Sequence, residues 1–96
     1  MTSGFAVRTT PRFERLLRRL LRQHTELLDR YADAIGILGG DPQNRSGTHA
    51  IRKLENVAVG EGQYRLRLGR WRFRYDVVEK DVVLHYCGLG RENIYR

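Results

Sequence analysis

A single cysteine, Cys87, occurs in the 96 residues. It excludes an intrachain disulfide and a zinc cluster built on several cysteines. Long apolar runs are missing: none approaches the ~20 residues of a membrane-spanning helix. The opening stretch MTSGFAVRTT has no apolar core of the kind that marks a secretory signal. A cytoplasmic protein with no membrane partner is therefore expected. Internal repeats and a dividing linker are also lacking, so residues 1–96 read as one domain. Lysine is scarce as well, with only Lys53 and Lys80 in the chain.

What is abundant is arginine. Lys+Arg number 18 against 11 Asp+Glu, a formal charge of +7. Such an excess points to a polyanionic partner. Arginine binds phosphate through a planar fork and stacks on bases, which suits RNA or DNA. A coding genome rich in G and C also favours arginine over lysine. Base composition does not, however, place arginines at a fixed spacing.

That spacing appears in YRLRLGRWRFRY, residues 64–75. Every second residue of a strand faces the same way. Gly69-Arg70 suits a tight hairpin, with glycine first as a type II′ turn requires. Folding there sets Leu68 opposite Trp71, Arg67 opposite Arg72 and Arg65 opposite Arg74. One face becomes Tyr64, Leu66, Leu68, Trp71, Phe73 and Tyr75. The other is four arginines. Like charges directly opposed across a hairpin are destabilising, so a compensating partner outside the chain is expected.

The rest of the chain reads in order. Gly4 to Arg8 is a short first strand. Thr10 is the expected N-cap of a helix with Pro11 at its first position. Phe13, Leu16, Leu17, Leu20 and Leu21 form one apolar stripe, with Arg12, Arg15, Arg18, Arg19 and Arg22 around it. Thr25 is the expected cap of a second helix whose stripe is Leu27, Leu28, Tyr31, Ile35 and Leu38. Gly39-Gly40-Asp41-Pro42 ends it. The two helices should form an antiparallel hairpin. Residues 41–50 are a polar loop. Residues 51–54 make a short strand or turn, and 57–62 a glycine-rich connection. Strands 64–68, 71–78 and 81–87 follow. A two-residue turn at Glu79-Lys80 would pair Tyr75 with Leu84, Val77 with Val82, Arg74 with His85 and Arg72 with Cys87. A slip that brought Leu84 and Tyr86 among the arginines is not expected. The fold class is α+β, with a short N-terminal strand, a helix hairpin and a mainly antiparallel meander.

This order, together with RKL at 52–54, YRLRLGRWRFRYDVV at 64–78 and VVLHYCGLGRENIYR at 82–96, resembles the RelE/ParE superfamily of type II toxins. The resemblance spans nearly the whole chain and implies a cognate acidic antitoxin. The RelE branch cleaves mRNA on the ribosome, and the ParE branch poisons DNA gyrase without a nuclease centre. A toxin with decayed catalysis that acts only as an antitoxin-binding partner is a third option. The RelE branch is favoured, and with it a metal-independent, cofactor-free endoribonuclease that inhibits translation. Carried over by position, Arg65, Arg67, Arg72, Arg91 and Tyr95 match the residues that hold the scissile phosphate and stack on a base. Two departures stand out. Arg65 and Arg67 replace lysines of some relatives, and Gly90 stands where many carry an arginine.

Metal-free RNA cleavage uses the 2′-OH against its own phosphorus. It needs a base, positive charge on the phosphorane oxygens and an acid for the leaving 5′-oxygen. Arginine supplies charge but is a poor base. The proton carriers on offer are His85, His49 and Tyr95, and His85 is best placed if it lies beside Arg74, whose charge would keep the imidazole neutral. The expected catalytic set is Arg67, Arg72, His85, Arg91 and Tyr95. The expected RNA- and phosphate-binding set is Arg65, Arg74, Arg52, Lys53 and Arg70. The plainer alternative is that the arginine face only docks an antitoxin and that His85 is an ordinary strand residue. Cys87 reads as a packed side chain and not a nucleophile.

Overall fold

The computed structural model describes residues 4–90. A short strand, β1 (Ala6–Thr9), leads directly into α1 (Pro11–Leu21). Thr10 makes that switch. Its backbone is extended, and its hydroxyl accepts a hydrogen bond from the Phe13 N–H at 3.1 Å. One of the N-terminal donors that a helix cannot satisfy internally is thereby paired. Pro11, which has no N–H to lose, follows as expected. α2 (Leu27–Gly40) comes next, then β2 (Ile51–Lys53), β3 (Tyr64–Leu68), β4 (Trp71–Val78) and β5 (Asp81–Leu89).

The start of α2 differs from expectation. Glu26, not Thr25, is the N-cap residue, and no side chain caps it. Glu26 instead pairs with Arg70 at 2.8 Å. Leu28 also leaves the expected stripe and is 60% exposed, while Ala34 takes a buried position.

The five strands make one sheet in the order β1-β5-β4-β3-β2. The pairs β2–β3, β3–β4 and β4–β5 are antiparallel, whereas β1 lies parallel to β5. The described residues thus form a small α+β domain with two helices and a mixed sheet, and the expected meander describes only β2 to β5. The parallel pair follows from the route of the chain. Both helices intervene between β1 and the rest, so β1 need not turn back on its sequence neighbour and instead covers the edge of β5.

Phe13 and Leu17 of α1, and Leu27, Ala34 and Leu38 of α2, share one core with Leu66, Phe73, Tyr75, Val82 and Leu84 of the sheet. The helices therefore cover the face opposite the arginines, as the alternation of β3 and β4 requires. Tyr75 is fully buried, stacks on Tyr64 at 5.5 Å, and donates its hydroxyl to the Pro42 carbonyl at 2.7 Å. That bond fastens the end of α2 to the middle of β4. Among the described residues, no helix is long and apolar enough to cross a membrane.

Candidate functional site

The hairpin register is the one the alternation demands: Arg65 opposite Arg74, Arg67 opposite Arg72, and Leu68 opposite Trp71. Gly69 has φ of 61°, the left-handed value that opens a II′ turn. β2 extends the pattern, with Arg52 opposite Arg65. One row of the polar face therefore runs Arg52, Arg65, Arg74, and a second holds Arg67 and Arg72. A shallow cleft of about 210 Å³ lies between β2 and β3, lined by Ala50, Ile51, Arg52, Arg65 and Arg67.

The neighbouring strand corrects the expected register. Tyr75 pairs with Leu84 and Val77 with Val82, but the ladder then shifts between Arg74 and Tyr75. Arg74 faces Tyr86, Phe73 faces Cys87 and Arg72 faces Gly88. His85 is the extra residue of a β-bulge, so the expected pairs Arg74–His85 and Arg72–Cys87 do not form. A bulge inserts one residue without moving the strand beyond it off its proper face. Cys87 consequently enters the core, where burial pushes its thiol up to about 12. It is a packed thiol at neutral pH. Tyr86, expected away from the arginines, comes to lie among them, while Leu84 stays in the core.

His85 also has a different neighbour from the one its sequence position suggested. Its Nε2 lies 2.8 Å from Oδ2 of Asp76. Asp76 is the one fully buried charged residue among the described residues, 1% exposed. It lies two residues beyond Arg74 on β4, hence on the same face. The glycine-rich connection arches over it. Gly60 N–H donates to Oδ2 at 2.7 Å, Gly62 N–H to Oδ2 at 3.3 Å, and Gln63 N–H to Oδ1 at 2.9 Å. Burial pushes the Asp76 carboxyl up, but these three N–H groups and His85 outweigh it and hold the carboxyl below its usual range. Asp76 is therefore an anion at neutral pH and accepts from His85. Facing an anion, the ring presents an N–H at Nε2, which leaves Nδ1 directed away from Asp76.

Arg74 belongs to the same assembly. Its Nε donates to the Gly62 carbonyl at 3.0 Å and its guanidinium to the Glu61 carbonyl at 3.1 Å. Gly62 has φ of 86°, and a Cβ there would stand 3.0 Å from that of Arg74. The connection can approach the sheet this closely only with glycine at position 62.

The remaining expected residues fall in several places. Arg72 is half-buried, and its guanidinium lies against Gly90, where a Cβ would meet Cζ at 2.2 Å. Lys53 pairs with Tyr64 and its ammonium lies over that ring at 5.7 Å, which puts it on the face opposite the arginine rows. Arg70 reaches Glu26 on the helical side. His49 lies 3.8 Å from Asp41 in the loop after α2, so it does not join the arginine rows. Arg91 and Tyr95 lie outside the described residues. Sequence reasoning missed Asp76 and Tyr86. The signal for the first was a lone acid between basic and apolar neighbours in RFRYDVV, ahead of which a glycine-rich stretch offered spare N–H donors. The signal for the second was the pair of glycines at 88 and 90, which leave the polar face bare of side chains at the end of β5. Among the described residues no group of three or more His, Cys, Asp or Glu is placed to hold a metal ion. The chain matches no family model, no curated protein and no solved structure.

Proposed function

We propose that this chain is a RelE/ParE-type toxin that cleaves ribosome-bound mRNA without a metal. The observation that carries the reading is one of juxtaposition. The Asp76-held His85 stands on the same sheet face as the opposed pair Arg67 and Arg72. The resemblance of the sequence, the two-helix α+β fold and the charge of +7 agree with it.

In this reading Arg72 is the main phosphate clamp, with Arg67 directly across. A phosphate held by both guanidinium groups gains charge-assisted hydrogen bonds. The gain is larger for the phosphorane, whose oxygens carry more negative charge, so it acts on the rate more than on binding. His85 is the base. Its Nδ1 lone pair takes the 2′-OH proton while Asp76 holds the ring and stabilises the imidazolium. The O2′–P bond forms and the P–O5′ bond breaks, leaving a 2′,3′-cyclic phosphate and a 5′-OH once the leaving oxygen is protonated. Arg91 and Tyr95 complete the set by resemblance.

An acidic antitoxin is the expected cellular partner, as a tail that orders on binding. That complex should weaken with added salt. Gly90, standing where many relatives carry arginine, favours a second reading, a ParE-like inhibitor of DNA gyrase, or a toxin whose catalysis has decayed. Primer extension on mRNA after induction, with and without translation, decides. Translation-dependent breaks support the nuclease. Intact mRNA with gyrase-dependent DNA breaks transfers the assignment to the ParE-like reading, and intact mRNA and DNA to the decayed one.

A further inference from the structure

We propose that Tyr86 is a stacking platform for one unpaired base of single-stranded RNA, set at the β5 end of the two arginine rows. The proposal deepens the nucleic-acid reading above and rests on it for the identity of the polymer.

Tyr86 is one of four large apolar or aromatic residues that the described surface exposes, at 39%. Val78 shares the arginine face but pairs with Asp81 at the far end of β4, and Tyr86 is the one of the four that the pairing sets opposite an arginine, Arg74. Its ring does not stand upright from the sheet. A Cβ at position 88 would meet the Tyr86 hydroxyl at 2.3 Å, Cζ at 2.8 Å and a ring carbon at 3.1 Å. The ring therefore lies along β5 with its far edge over the Gly88 backbone. One side of the ring is turned to the strand and the other to solvent. Any side chain at 88 would lift it.

The same arrangement recurs one step along. The Arg72 guanidinium lies over Gly90 as the Tyr86 ring lies over Gly88. Two flat groups thus occupy successive positions of one strand face, about 7 Å apart at the ordinary strand rise. One is an aromatic ring, which takes a base through its π-face, and the other a planar cation, which takes a phosphate. The bulge at His85 creates this pair. Without the extra residue Tyr86 would point into the core and Cys87 would stand opposite Arg72. A base can lie on the ring only when it is unstacked, which selects a single strand over a duplex. Every base has such a face, so the platform adds affinity without strong sequence choice.

The test is a binding titration of the full chain, by fluorescence anisotropy at fixed salt. Its two probes are a dye-labelled single-stranded RNA hexamer and an abasic ribose-phosphate strand of the same length. The native chain should bind the RNA about 5-fold or more tighter than the abasic strand. Tyr86→Ala should remove that preference and leave abasic binding within about 2-fold, while Tyr86→Phe keeps it. The native ratio needs no variant, so a folding defect in Tyr86→Ala leaves the proposal testable. Equal binding of both strands by the native chain overturns it. So does a parallel loss of both in a folded Tyr86→Ala. Should the base preference hold while primer extension finds mRNA intact, the platform stands and the nuclease assignment falls.

Discussion

The polar face of the sheet has two halves, built from the same residue type and used differently. In one half, Arg74, Asp76 and His85 lie under the 57–63 connection. There the cation meets two backbone carbonyls, and the buried anion meets three backbone N–H groups and an imidazole. In the other half, Arg52 faces Arg65 and Arg67 faces Arg72 with Tyr86 nearby. Arg72 and Arg74 are two residues apart on one strand and point the same way. What separates them is what lies above. The covered half ties the sheet to the connection and, in the proposed reading, presents the His85 base. In the same reading the half with opposed cations receives an anion from outside.

Removing the centre of the covered half should have the largest effect. Asp76→Ala strips a buried anion from its donors and leaves His85 without a partner, at a cost of about 3–5 kcal/mol. Urea unfolding at neutral pH measures it. The pH dependence has a definite sign. The folded Asp76 carboxyl is depressed, so its stabilisation is complete above the unfolded carboxylate value of about 4 and is lost as pH falls through the folded value. The native chain should lose stability in that acid window, and Asp76→Ala should lose less there. A neutral-pH cost below about 1 kcal/mol would break the division of the face, because the covered half would then not be structural.

The next effect belongs to the half with opposed cations. Gly90→Ala places a methyl where the Arg72 guanidinium lies. It should displace that group and lower translation-dependent cleavage by about 10-fold or more, a small misplacement acting through orientation. The melting temperature should stay within a few degrees. Unchanged cleavage would show that the resting position of Arg72 does not matter to the site.

A smaller loss is expected at the helix N-terminus, outside both halves. Thr10→Ala removes the Oγ1 acceptor of the Phe13 N–H and should cost about 1 kcal/mol in unfolding experiments without touching cleavage. The smallest effects should come from the exposed helix arginines. Arg15→Ala and Arg18→Ala should change stability by no more than about 0.5 kcal/mol and weaken growth arrest only slightly. A strong loss of arrest in either would extend the functional surface to α1.

Strand alternation made much of this legible in the sequence. The arginine spacing in residues 64–75 set the hairpin register, and Thr10-Pro11 marked the start of α1. The legibility ended at a specific residue. Counting back from the Glu79-Lys80 turn assumes an unbroken ladder, and the bulge at His85 breaks it. From that point Tyr86 and Cys87 exchange faces. The reason is energetic: Phe73 and Cys87 both need the core, and one extra residue lets β5 supply Cys87 there while Leu84 keeps its place. The Asp76 pairing was hidden for another reason. It joins a strand to a connection 13 to 16 residues earlier, a distance at which local pattern carries no information. His85 was singled out by its residue type, but its partner is an anion where a cation was expected.

Arg72→Ala against Arg74→Ala tests the division most directly, with ribosome-dependent cleavage and thermal unfolding measured on each. Arg72→Ala should lower cleavage by about 100-fold or more, as loss of a charge-stabilising donor does, and leave the melting temperature nearly unchanged. Arg74→Ala should lower the melting temperature by roughly 6–20 °C through its lost carbonyl bonds. The fraction that remains folded should still cleave. The reverse pattern, or equal losses of cleavage at equal stability in the two variants, would contradict the account.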